Sequence, residues 1–176
     1  CYKKKIFANF LKSKKIKNVQ LLEEKNPLGT AGSVKKIIKK KFKNIVLING
    51  DLFFKINFKN LLNFHNKKNC DVTVGITNNE IEIPYGVFSK KDNRFYFQEK
   101  PKVMNKINSG IYLFNKKFLK KFFLSRKNRN KNKFDIPELI KQVEKKNLGI
   151  FDIGKKWIDI GNIYDFKKAS REIKNW

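Results

Sequence analysis

Two aspartates stand beside glycines at the ends of short apolar runs: Asp51 in Asn49-Gly50-Asp51, after Ile45-Val46-Leu47-Ile48, and Asp159 in Trp157-Ile158-Asp159-Ile160-Gly161. In α/β proteins an aspartate at the carboxyl end of a strand points into the crevice where ligands collect, and an adjacent glycine lets the backbone turn sharply. Carboxylates from two separate strands can share a hard cation, because Mg2+ takes one or two carboxylates plus substrate phosphate oxygens. Each motif alone is equally an ordinary turn, since turns use the same residues for conformational reasons. Together they point to a metal-assisted phosphate reaction.

Two further groups have suitable residue types. Pro27-Leu28-Gly29-Thr30-Ala31-Gly32 is a small-residue loop opening a helix, where free amides could face an anion or a base. It is neither a P-loop nor GxGxxG, and such patterns more often just start a helix. Tyr85-Gly86, Glu99-Lys100-Pro101 and Asn108-Ser109-Gly110 combine glycine, an acid beside a lysine, and an amide, a set that could wall a polyol and its phosphate. Lys100 alone says little in so lysine-rich a chain. His65, the single histidine, reads as a core or surface residue.

The elements that must position these residues follow from periodicity. Tyr2, Ile6, Phe7, Phe10 and Leu11 recur at helical spacing, predicting an amphipathic helix on an apolar partner. Strands are expected at 19–22, at Ile45–Ile48 as a buried central strand, and at 71–77; helices are expected over 33–42 and, capped by Asn57, around Phe58 to His65. That alternation predicts an α/β, Rossmann-like, mostly parallel sheet flanked by helices. From Tyr85 the pieces shorten into an antiparallel portion, 85–89, 94–98 and 107–114, with a hairpin turn at Lys91-Asp92-Asn93. A short helix over 118–123, a basic and least ordered segment 125–133, a helix over 135–145, strands at 148–153 and 156–160, and a last helix from Ile163 complete the expectation. No repeat or linker divides the chain, so 1–176 reads as a single domain, with about 1–84 as nucleotide-binding core and about 85–176 as the smaller portion and carboxyl-terminal elements.

Composition bounds the rest. With 176 residues, 40% hydrophobic and 17 Phe, the chain can bury a core. No apolar run approaches the roughly 18 residues of a membrane span, and a cytoplasmic protein without a membrane partner is expected. Cys1 and Cys70 form no CxxC pair and read as reduced thiols. The net charge of +27 admits a nucleic-acid partner. However, the lysines are spread along the chain among Asn, Ile and Phe, as an A- and T-rich genome would produce, so a nucleic-acid partner is the less favoured reading and a basic nucleic-acid-binding protein stays as an alternative. Met104 is the single methionine, and the sequence reads as the remainder of a longer one.

In order and spacing, Pro-Leu-Gly-Thr-Ala-Gly, Asn-Gly-Asp, Tyr-Gly-Val, Glu-Lys-Pro, Asn-Ser-Gly-Ile-Tyr and Trp-Ile-Asp-Ile-Gly resemble the sugar-1-phosphate nucleotidyltransferase family from about Gln20 onward. The resemblance implies a Rossmann-like nucleotide-binding core with a smaller antiparallel sugar-binding portion. It implies that Gly29 and Thr30, with Asp51, meet the nucleotide, that Asp51 and Asp159 hold Mg2+, that Gly86, Glu99 and Asn108 contact the sugar, and that Lys100 meets its phosphate. Asp51, Lys100 and Asp159 are the implied catalytic set, with a nucleoside triphosphate and a sugar 1-phosphate as partners. A homo-oligomer is left open.

Asn49-Gly50-Asp51-Leu52, Leu61–His65, Ile83–Val87 and Phe134–Pro137 look most like the bacterial guanylyltransferases for GDP-linked amino sugars or heptoses, which often carry upstream CBS domains. Uridylyl, thymidylyl and cytidylyl relatives share most motifs, and a non-catalytic nucleotide-sugar-binding remnant stays as an alternative. The family's GGxGTR-type loop and Pro-Lys-Pro stretch, which hold the triphosphate, are not found in this sequence, and the piece by itself is expected to be inactive or nearly so.

Overall fold

The computed structural model describes residues 3–176; the expectations for Cys1 and Tyr2 lie outside them. The elements run α1 (Lys4–Ser13), α2 (Gly32–Ile37), β1 (Asn44–Ile48), β2 (Leu52–Phe54), α3 (Phe58–Lys67), β3 (Val72–Glu82), β4 (Val87–Lys91), β5 (Arg94–Gln98), β6 (Lys102–Asn115), α4 (Lys116–Leu124), α5 (Ile136–Lys141), β7 (Leu148–Asp152), β8 (Trp157–Asp159) and α6 (Ile163–Glu172), with 3-10 turns at Lys145–Asn147 and Ile173–Asn175. They form two compact units, Cys1–Lys43 with Asn115–Glu144, and Asn44–Phe114 with Lys145–Trp176. Each of the portions 1–84 and 85–176 contributes to both.

The first unit is helical. Helix α4 buries Phe118, Leu119, Phe122 and Phe123, which recur at helical spacing, and is capped by Asn115, whose side chain accepts from the Lys117 amide at 2.7 Å. The rings of Phe122 and Phe123 lie 5.7 and 5.1 Å from that of Phe134, edge to face, and Phe134 is fully buried. The basic segment 125–133, expected to be least ordered, is pinned from two sides. Asn128, 5% exposed, donates from Nδ2 to the Phe122 carbonyl, and Lys35 Nζ donates to the carbonyls of Asn128, Arg129 and Lys131 at 3.4, 2.9 and 2.6 Å. An ammonium carries three donors, which matches those three carbonyls.

Two expectations fail in this unit. Residues 19–22 form no strand; Val19 and Leu21 are exposed, and the described residues of this unit offer them no ladder to join. Helix α1 buries no residue, and Ile6, Phe7 and Phe10 are at least half exposed. Within the unit, α1 meets the segment after it, where Phe7, Leu21, Leu22 and Pro27 line an open cleft of about 590 Å3.

The second unit is built on a mixed four-stranded sheet of order β1-β6-β3-β7. Strand β7 runs parallel to β3 and β6 antiparallel to it. The antiparallel β3–β6 pair returns the chain directly, without a helical crossover. Both of its faces are covered here: Val72 and Val74 share a buried face with Phe114 and Tyr112, while Ile111 and Leu113 on the other cluster with Leu61 of α3 and Ile153. Asn57 caps α3 as expected, accepting from the Asn60 amide at 3.1 Å.

Strand β1 was expected to be central and covered on both faces. It lies at one end of the sheet order, and Val46 and Ile48 are 38% and 37% exposed. An uninterrupted apolar run has the side chains for two buried faces, but burial depends on what packs there, and here only Ile45 and Leu47 are partly covered. Strands β4 and β5 form the expected hairpin. Asp92 and Asn93 at its tip both have positive φ, 49° and 61°, the backbone of a type I′ turn.

Candidate active site

In the second unit the antiparallel β2–β8 ladder places Leu52 opposite Asp159, and the Ile160 amide donates to the Asp51 carbonyl at 2.8 Å. Asp51, in the turn just before β2, is therefore one register position from Asp159 of β8, and both are exposed. Oδ1 of Asp159 accepts from the Gly161 amide at 2.8 Å, which fixes that side chain in a turn at the strand end. The arrangement suits a hard cation that needs one or two carboxylates and shares the rest of its shell with phosphate oxygens. Among the described residues no group of three His, Cys, Asp or Glu could hold a metal by itself.

Ser109-Gly110-Ile111, just after Asn108, form a bulge in β6. The β3–β6 register slips between Val74, opposite Tyr112, and Ile76, opposite Asn108, so only Gly75 faces the intervening residues. Gly110 has φ +72°, and a Cβ there would lie 2.8 Å from Nδ2 of Asn49 and 3.0 Å from Cδ1 of Leu52. The Asn49 amide donates to the Gly110 carbonyl at 2.9 Å, which ties the bulge to the loop carrying Asp51. Ser109 Oγ donates to the Gly75 carbonyl, and Trp157 Nε1 donates to the Ser109 carbonyl, both at 2.8 Å. Thus Asn49, Ser109 and Trp157, which stand out in the sequence only as parts of motifs, join three sequence-distant segments. Asn108 itself accepts from the Gly110 amide at 3.0 Å and donates to the Tyr112 hydroxyl at 2.7 Å; burial raises the Tyr112 pKa, with the Asn108 bond opposing.

Gly86, Glu99 and Lys100 come together at the open end of the β4–β5 hairpin. A Cβ on Gly86 would meet the Phe97 ring at 2.4 Å and Oε2 of Glu99 at 3.0 Å. Lys100 is exposed, adopts φ +44°, and donates from its amide to the Tyr85 carbonyl at 3.2 Å.

Gly29 and Thr30 belong to the first unit, where their groups are engaged by the start of α5. A Cβ on Gly29, at φ +78°, would lie 2.3 Å from the Phe134 carbonyl oxygen. The Thr30 amide donates to Oδ1 of Asp135 at 2.9 Å, and its hydroxyl oxygen accepts from the Ile136 amide at 2.9 Å. The Thr30 backbone amide first, and then the Thr30 hydroxyl donating to the same Oδ1 at 3.3 Å, hold the Asp135 carboxyl below its usual pKa. Thr30 thereby satisfies an amide at the start of α5, a role signalled only by Asp135 and Pro137 far along the chain. His65 is 2% exposed, with Nδ1 2.8 Å from Thr73 Oγ1, so of the two roles left open for it, core or surface, it takes the core one.

The sequence matches the Nucleotidyl transferase family over residues 2–175. It is 32% identical to a mannose-1-phosphate guanyltransferase of Hypocrea jecorina over 98% of this chain and 52% of that protein. It is 35% identical to the mannose-1-phosphate guanylyltransferase catalytic subunit beta of Drosophila melanogaster over 81% of this chain and 39% of that one. A glucose-1-phosphate adenylyltransferase of Mycoplasma mobile is 30% identical over 74% of this chain and 37% of its own length. The chain thus spans about half or less of the curated relatives it matches. HddC from Yersinia pseudotuberculosis, solved with GMP-PN, shares the fold at a TM-score of 0.67 and 21% identity, over 98% of this chain and 75% of that one. The α/β fold, the family match over nearly the whole chain and the identities to these relatives agree: this chain belongs to the nucleotidyl transferase family.

Proposed function

We propose that the protein transfers a nucleoside monophosphate, GMP from GTP, to a sugar 1-phosphate in the cytoplasm, releasing pyrophosphate. The observation that carries the site reading is the β2–β8 ladder, which sets Asp159 opposite Leu52 and so close in register to Asp51, both acids being exposed. The guanylyl choice is supported by the relatives from Hypocrea and Drosophila, and the adenylyl relative makes ATP the competing donor.

A phosphate oxygen of the sugar 1-phosphate attacks the α-phosphorus in line. The new P–O bond forms as the bond from the α-phosphorus to the α,β-bridging oxygen breaks, and that electron pair leaves with pyrophosphate, with no covalent enzyme intermediate. Both reactants are anions, so positioning and charge compensation carry the catalysis. Asp51 and Asp159 would hold Mg2+, which supplies positive charge against the phosphate oxygens when bound. Lys100 holds the sugar phosphate, Gly86 and Glu99 contact the sugar from the hairpin, and Asn108 contacts it from just before the bulge. Gly29 and Thr30 would meet the nucleotide base, the Thr30 hydroxyl being engaged with the start of α5.

Pyrophosphate release by the full-length protein, measured over four nucleoside triphosphates and several sugar 1-phosphates, tests the reading. GTP with a hexose 1-phosphate is the expected pair, and Asp51→Ala and Asp159→Ala are each expected to weaken Mg2+-dependent nucleotide binding at least tenfold. If no pair turns over and both variants bind nucleotide and Mg2+ as the parent does, the mechanism is wrong.

A further inference from the structure

The fold sorts the charge of this chain. The helical unit, Cys1–Lys43 with Asn115–Glu144, holds 24 Lys and Arg against 5 Asp and Glu, a net +19; the longer second unit holds 18 against 10, a net +8. A lysine excess of purely compositional origin would load both units in similar proportion. In the helical unit Glu23 pairs with Lys4, Glu138 with Lys131, and Asp135 accepts from Thr30, so these acids are committed to local bonds.

The outward cations sit on ordered structure. Helix α4 presents Lys117, Lys120 and Lys121 on the side away from its buried Phe and Leu residues. Lys35 turns inward to three carbonyls of the segment after α4, leaving that segment's Arg126, Lys127 and Arg129 exposed. We infer that α4 and the segment 126–129 of this unit form a binding surface for the phosphate backbone of a nucleic acid, single-stranded RNA being the simplest ligand. Two observations favour a phosphate polymer. Six exposed cations, three on α4 and three on the segment after it, exceed the charge that one nucleotide carries. Among the large hydrophobic residues of 116–129 only Leu124 is exposed, whereas a bilayer surface is held by a broad apolar face.

The test is fluorescence anisotropy of a labelled 20-nucleotide oligouridine against the whole chain between 50 and 200 mM salt. With about five phosphates neutralised, log K should fall with log salt at a slope near −3.5, roughly a 100-fold loss across that range. Lys117→Gln, Lys120→Gln and Lys121→Gln together should flatten the slope by about 2, leaving roughly a sevenfold loss. The same triple change at the exposed Lys59, Lys67 and Lys68 around α3 should leave binding within about twofold. RNA binding should also survive Asp51→Ala, which separates this surface from the proposed catalytic site. Equal losses from the two triple variants would show net charge acting without a defined surface. Tighter capture by phosphatidylserine vesicles than by oligouridine, lost in the α4 variant, would show a membrane surface. Either result overturns the inference.

Discussion

Adding one methyl group at Gly110 should separate the two things that glycine does for the candidate site. Gly110 has φ +72°, a region that costs an L-residue roughly 1–2 kcal/mol, and a Cβ there would stand 2.8 Å from Nδ2 of Asn49 and 3.0 Å from Cδ1 of Leu52. Overpacking of that kind costs a further 1–3 kcal/mol or so, giving about 2–5 kcal/mol for Gly110→Ala. Two other glycines isolate the contributions. Gly154 has φ +85° with nothing within 4 Å of where a Cβ would sit, so Gly154→Ala should lose only the backbone part, about 1–2 kcal/mol. Gly50 has open space and no positive φ, so Gly50→Ala should be neutral or stabilising by up to about 1 kcal/mol. All three lie in the second unit, as does Trp157, whose Nε1 is bonded to Ser109 in the bulge. Urea unfolding followed by tryptophan fluorescence is therefore the assay, with the order Gly50→Ala, Gly154→Ala, Gly110→Ala in decreasing stability expected. Gly110→Ala unfolding at the same urea concentration as Gly154→Ala would refute the claim that Asn49 packs against the bulge and fixes the Asp51 loop.

Two other outcomes are expected. Burial lowers the pKa of His65 below its usual 6.5, against a smaller opposing effect of Asp71, so the unfolded chain takes up the proton first. The stability from a neutral His65 is fully present above about pH 6.5 and is lost as pH falls from there through the lowered folded value, at up to about 1.4 kcal/mol per pH unit. Urea midpoints from pH 7.5 to 5 should fall less in His65→Gln than in the parent; parallel curves would remove His65 as the cause. Lys35→Met should free the carbonyls of Asn128, Arg129 and Lys131, raising amide hydrogen exchange across 125–133 at least tenfold while β3 and β6 stay protected. Unchanged exchange in that segment would show that Asn128 alone holds it.

Local chemistry was legible in the chain. Asn57 capping α3, Asp92-Asn93 turning a hairpin, the buried stripe of α4 and Pro137 in the first turn of α5 depend on side-chain types a few residues apart, and the structure has them where the pattern puts them. The family followed from six short motifs in order. What those motifs do to one another was not legible. That Gly29 and Thr30 serve the start of α5, that Gly110 makes room for Asn49, and that Trp157 holds Ser109 are contacts between residues roughly 50 to 100 positions apart, with no local signature.

The exposed faces of α1 and β1 show the same limit from the other side. An apolar pattern states that a face can be buried, and packing decides whether it is. The charge repeats the lesson: the sequence alone determined a net +27 and lysines along its whole length. Only the tertiary structure decided that most of that charge belongs to one unit, because folding joins 1–43 to 115–144 and places the ten acids of 44–114 and 145–176 in the other. Asp51 and Asp159 likewise became neighbours only through the β2–β8 ladder, since hydrogen-bonded strands bring residues more than one hundred positions apart to within a strand spacing.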